Sequence, residues 1–104
     1  MTVYLFAYHG PRLPRDKTKD ADAIAAWRAW MDQLGSALEG SNNPVNITKT
    51  VNTDGSISEG GGANPVAGLS FITADSIDAA LKAAKTCPQL AAGGSIEIAE
   101  LVPR

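Results

Sequence analysis

Cysteine and histidine are almost missing from this 104-residue chain, with one residue of each, Cys87 and His9. A lone cysteine excludes an internal disulfide and fits a reducing compartment. One Cys and one His far apart in sequence make no recognisable metal-ligand set, so no metal is expected. Long apolar runs are absent too: no segment approaches the length of a membrane span. Residues 1–7 are apolar but too short for a signal peptide and lack a basic flank. No address other than the cytoplasm is therefore expected. Positive charge is scarce as well. Nine Lys and Arg against eleven Asp and Glu leave a net charge of −2, which argues against a general nucleic-acid binder. The triplet Gly60-Gly61-Gly62 has neither the Lys-Ser/Thr of a P-loop nor dinucleotide-motif spacing, so it reads as a flexible hairpin or lid. No cofactor is called for.

What is present is the patterning of a single domain covering residues 1–104. Residues 2–9 are rich in Tyr, Phe, Val and Leu and stop at Gly10-Pro11, which marks a first strand. Both its faces are apolar, Val3, Leu5 and Ala7 on one and Tyr4, Phe6 and Tyr8 on the other, as in a strand covered on two sides. Residues 10–19 form a basic loop. Its cations could attract an anionic substrate, although a solvated loop is the default.

Asp20 or Asp22 opens a helix expected to reach about Leu38, with Ile24, Trp27, Met31, Leu34 and Leu38 in one stripe. Gly40-Ser41-Asn42-Asn43-Pro44 reads as its closure. Residues 45–51 have strand propensity, Asn52-Thr53-Asp54-Gly55 is a turn, and residues 56–58 make a short strand. Another strand spans 66–73, followed by a helix from Ile77 for which Asp75 is the expected N-cap. Cys87-Pro88 and Gly93-Gly94 stop that helix, and residues 95–101 alternate as a last strand.

The resulting order, β-α-β-(β)-β-α-β, points to an α+β, ferredoxin-like split βαβ sandwich. Its two helices would pack on one face of an antiparallel sheet. The other face, apolar by the pattern of the first strand, has no element left to cover it, and a sheet-on-sheet homodimer is the economical answer.

The opening Val3-Tyr4-Leu5-Phe6-Ala7-Tyr8-His9-Gly10 resembles the YCII-related (DGPF-domain) family of dimeric α+β barrel proteins. So do Asp75-Ser76-Ile77-Asp78-Ala79-Ala80 and Cys87-Pro88 with Gly93-Gly94-Ser95-Ile96-Glu97-Ile98. The Asp-Gly-Pro-Phe motif is replaced by Ser58-Glu59-Gly60-Gly61-Gly62-Ala63-Asn64-Pro65, as in a glycine-rich subgroup. The resemblance implies the ferredoxin-like fold and a dimer. Some members are similar to muconolactone-isomerase-like proteins, in which a His–Asp pair has been suggested as catalytic.

If the first strand and the strand at 66–73 run parallel and adjacent, His9 lies near Asp75, and the two form an acid–base dyad. The plainer reading keeps His9 as a surface or interface residue and Asp75 as a cap. Trp27 sits on the helix stripe and belongs to the core, whereas Trp30, one step off it, is the candidate pocket wall. Tyr8 points away from His9. Asn64 is a candidate ligand-binding residue where the glycine loop hinges into the next strand. Cys87 faces the buried side of its helix and is read as packing. Two functions remain open: a small-molecule enzyme using His9 and Asp75, or a non-catalytic dimeric ligand-binding or regulatory module. Neither requires nucleic acid or a membrane.

Overall fold

The computed structural model describes residues 1–103. β1 (Thr2–His9) leads through the basic loop to α1 (Ala21–Leu34). Five alanines in α1 favour the helix, and Gly35 ends it at φ +55°, donating its N–H to the Met31 carbonyl. The helix therefore stops short of Leu38. A 3₁₀ turn (Gly35–Ala37) follows, and β2 (Leu38–Pro44) begins at once. β3 (Lys49–Val51) and β4 (Ile57–Glu59) pair only with each other. β5 (Val66–Ala74), α2 (Ile77–Ala84), α3 (Pro88–Ala91) and β6 (Ser95–Glu100) complete the chain.

The four-stranded sheet has the order β2-β5-β1-β6 and is antiparallel throughout. β2 runs parallel to β1 with β5 inserted between them, and β6 runs parallel to β5 across β1. Two features differ from the sequence-based expectation. The second strand of the sheet is residues 38–44, not 45–51, because Gly40, Ser41, Asn42, Asn43 and Pro44 form an edge strand despite their turn chemistry. β1 and β5 are also antiparallel, with Thr2 opposite Ala74 and His9 opposite Val66.

Both long helices pack on the face of the sheet carrying Tyr4, Phe6 and Tyr8. These three join Trp27, Trp30, Ile72, Ala80 and Ala84 in the core. The Tyr8 ring meets Trp27 edge-on at 5.1 Å between centroids, and Trp27 meets Trp30 edge-on at 5.7 Å. The small side chains of Ala80 and Ala84 let α2 lie close to the strands.

The opposite face carries Val3, Leu5 and Ala7 from β1, Leu69 and Phe71 from β5, and Ala99 from β6. These are half-buried, apart from the exposed Phe71. The shortest dimension of the molecule, 22 Å, corresponds to one sheet and one helix layer, so among the described residues no second layer covers this face, and Leu101 and Val102 lie beside its Val3–Phe71 end. The β3–β4 hairpin projects sideways, with Ile47, Val51 and Ile57 exposed. The radius of gyration, 14.6 Å, accordingly exceeds the roughly 13 Å of a compact domain this size.

Candidate functional site

Antiparallel pairing separates the two residues of the expected dyad. Asp75 follows Ala74, which lies opposite Thr2, whereas His9 ends β1 seven residues further on. At about 3.3 Å per strand residue the separation is about 23 Å. Asp75 is not the helix cap either: Ser76 Oγ accepts from the Ala79 N–H at 3.1 Å. The correction has a simple cause. Two strands joined through a hairpin and a crossover become neighbours head to tail, not side by side in one direction.

His9 nevertheless has a carboxylate beside it. Its Nε2 lies 3.2 Å from Glu97 Oε1 on β6, and its Nδ1 lies 3.1 Å from the Asn64 carbonyl and 3.2 Å from that of Pro65. A nitrogen facing carbonyls must donate, which fixes Nδ1–H. The ring side chain is 12% exposed and Glu97 is 71% exposed. Asn64 thus meets the histidine through its backbone, tying the glycine loop to the sheet. With Nδ1–H turned to the carbonyls, Nε2 engages the Glu97 carboxylate only as a second N–H donor, and it is released when the solvated Glu97 side chain swings away. Beneath His9, Gln89 is buried and donates Nε2–H bonds to the carbonyls of His9 (3.0 Å) and Pro11 (2.9 Å). Gly94 passes so close to the His9 carbonyl that no side chain fits there.

Trp30 is 2% exposed, and its indole N–H donates to the Ala83 carbonyl at 3.1 Å, joining α1 to α2 inside the core. It also lines a hollow of about 330 Å³ between α1 and α2, with Leu34, Ala79 and Lys82 beside it. Trp27 belongs to the core as expected, and its edge also forms part of the wall of a second cleft, of about 190 Å³, between α1, the basic loop and β2. Leu13, Ile24 and Met31, with Pro14 and Pro44, supply the rest of the apolar lining, and Arg28, Asn42 and Ser41 supply its polar groups.

A buried polar chain reaches this cleft from the core. The Tyr8 hydroxyl donates to Ser70 Oγ at 2.9 Å, and Ser70 donates to Asn42 Oδ1 at 2.5 Å. Tyr8 and Ser70 are fully buried, and burial holds the Tyr8 phenol well above its ordinary range, so it stays protonated. The relay depends on an irregularity in β2. Glu39 pairs with Phe71 and Asn43 with Leu69, leaving residues 40–42 to bulge opposite Ser70. Gly40, at φ +75°, permits the bulge. Sequence reasoning passed over Asn42 and Ser70. A serine inside the otherwise apolar run Gly68-Leu69-Ser70-Phe71-Ile72 was the available signal.

Cys87 is buried beside the core, and desolvation pushes its thiol up to about 11, which suits packing and not nucleophilic chemistry. Among the described residues no group of three or more His, Cys, Asp or Glu side chains could hold a metal ion, and no helix is long and apolar enough to cross a membrane. No family model matches the sequence, and no curated protein matches it either.

Proposed function

We propose that the chain is a ferredoxin-like, dimeric α+β barrel protein of the YCII-related kind, acting as a non-catalytic ligand-binding module. The strand order β2-β5-β1-β6 with two crossovers supports the topology. The observation that carries the reading is the uncovered face bearing Val3, Leu5, Ala7, Leu69 and Phe71, on a molecule only two layers thick. An apolar patch of this kind, rimmed by Glu39 and Glu97 in register beside Phe71 and Ala7, marks an association surface, and a self-complementary pairing covers it with no other partner. The engaged nitrogens of His9 favour binding over turnover, because a general base needs a free nitrogen.

Sedimentation velocity tests the pairing. Wild type is expected to sediment as a dimer, and Phe71→Glu, which puts a charge on the exposed ring position, as a folded monomer. A wild type that remains monomeric at high concentration removes the barrel reading.

An enzymatic reading has one observation in its favour, the 3.2 Å approach of Glu97 to His9 Nε2. If Glu97 moves aside on substrate binding, the Nδ1–H tautomer leaves Nε2 free to accept a proton. In this reading Glu97 replaces Asp75 as the partner of His9.

A further inference from the structure

We infer that the cleft between α1 and the β2 bulge is a binding site for a small single-ring carboxylate, held by Arg28 and the Asn42 amide. The inference rests on the ligand-binding half of the function proposed above and is independent of the dimer, because the cleft lies on the helix side of one chain.

Three observations converge on it. The first is size and lining. A cavity of roughly 150 Å³ with aliphatic and aromatic walls takes up benzene, and this cleft of about 190 Å³ has room for a ring and one small substituent. Trp27, Met31, Ile24 and Leu13 offer the ring an apolar enclosure.

The second is the relay. A hydroxyl at the fully buried position 70 is costly unless hydrogen-bonded, and an apolar residue would suit the core better. Its partners, Tyr8 and Asn42, give it a purpose. With Oδ1 occupied by Ser70, the Asn42 amide is held so that Nδ2 keeps two hydrogens and has no acceptor among the described residues. The amide is therefore a preorganised donor at a site built from a bulge, a place where strands commonly re-aim a side chain.

The third is charge. Arg28 lines the same cleft and forms no ion pair among the described residues; the ion pairs are His9–Glu97, Arg12–Asp20 and Lys49–Glu59. A guanidinium and an amide N–H₂ at the rim of an apolar slot match the two oxygens of a carboxylate, with the ring pointing inward.

Sodium benzoate is the probe, and benzyl alcohol is its neutral counterpart of similar shape. Titration followed by tryptophan fluorescence and ¹H–¹⁵N NMR is expected to give saturable shifts at the Trp27 indole and the Asn42 side-chain amide. Benzyl alcohol should bind at least about tenfold more weakly. Arg28→Ala and Asn42→Ala, both outside the packed core, should each weaken benzoate by about tenfold, equivalent to about 1.4 kcal/mol. Ser70→Thr, which keeps the hydroxyl, should retain more affinity than Ser70→Ala. Absence of a saturable shift up to about 10 mM benzoate, equal binding of the alcohol, or unchanged binding in Arg28→Ala would each overturn the inference. The same titration on Phe71→Glu separates the two proposals: the variant should bind benzoate like wild type whether or not it changes the sedimentation.

Discussion

The two faces of β1 are built from neighbouring residues yet hold the molecule together in different ways. Tyr4, Phe6 and Tyr8 disappear beneath two helices, and their rings interlock with Trp27 and Trp30. Val3, Leu5 and Ala7, one residue away in each case, are equally apolar but stay half-buried against nothing. Apolar character alone does not decide what a face does. The crossovers of α1 and α2 both fall on the same side, so one face becomes interior and the other becomes a surface available for association. Polar groups follow the same division. On the covered face they form a relay, Tyr8–Ser70–Asn42, that runs from the core to the cleft, whereas on the open face His9 reaches toward a solvated carboxylate.

The sharpest way to break the comparison is a matched pair of truncations. Phe6→Ala should cost about 3–5 kcal/mol of unfolding free energy in urea, whereas Leu5→Ala should cost clearly less in a monomeric background and act chiefly by weakening self-association. Equal losses in that background would mean that the open face is as load-carrying as the covered one. Ser70→Ala comes next. It orphans the Tyr8 hydroxyl and loosens Asn42, and denaturation should register about 1–3 kcal/mol.

The smallest effect belongs to the loop that roofs the cleft. The Asp20 carboxylate accepts from the backbone N–H groups of Asp16 and Arg15 and lies 3.6 Å from Arg12. These partners, the Asp16 N–H foremost, hold its pKa below the ordinary 3.8. The folded value is the depressed one, so the contribution is complete above the unfolded value and fades as pH falls through the folded one. The difference in thermal midpoint between wild type and Asp20→Asn should be constant above about pH 5 and shrink below it. A difference independent of pH would assign the effect of Asp20 to shape and not to charge.

Much of the fold was legible in residues. β1 announced itself by its composition and its two apolar faces, α1 by the Ile24–Trp27–Met31 stripe, and β6 by alternation after Gly93-Gly94. β2 was illegible because its sequence, Gly40 to Pro44, is a string of turn formers that only the edge of a sheet tolerates. The site suffered more. The expected pairing of His9 with Asp75 depended on strand direction, which no local pattern encodes. Antiparallel pairing sent Asp75 to the far end and brought Glu97 in from β6 instead. Trp30 lines a hollow as its offset from the stripe suggested, but its burial and its N–H bond to the Ala83 carbonyl depend on α2 packing beside α1, which the stripe alone does not encode. The Asn42–Ser70 contact spans 28 positions and exists only because residues 40–42 bulge together opposite a single residue of β5.

Gln89 holds the start of the basic loop. Its two amide hydrogens are spent on the carbonyls at positions 9 and 11, so the root of the long loop is stitched down from below, and two residues later Leu13 is plugged into the core. Arg12, between these two anchors, is left at the surface, where it reaches Asp20 at 3.6 Å. The wall that this loop lends to the cleft is thus set from two sides, by an amide under its start and by an aliphatic side chain in the interior.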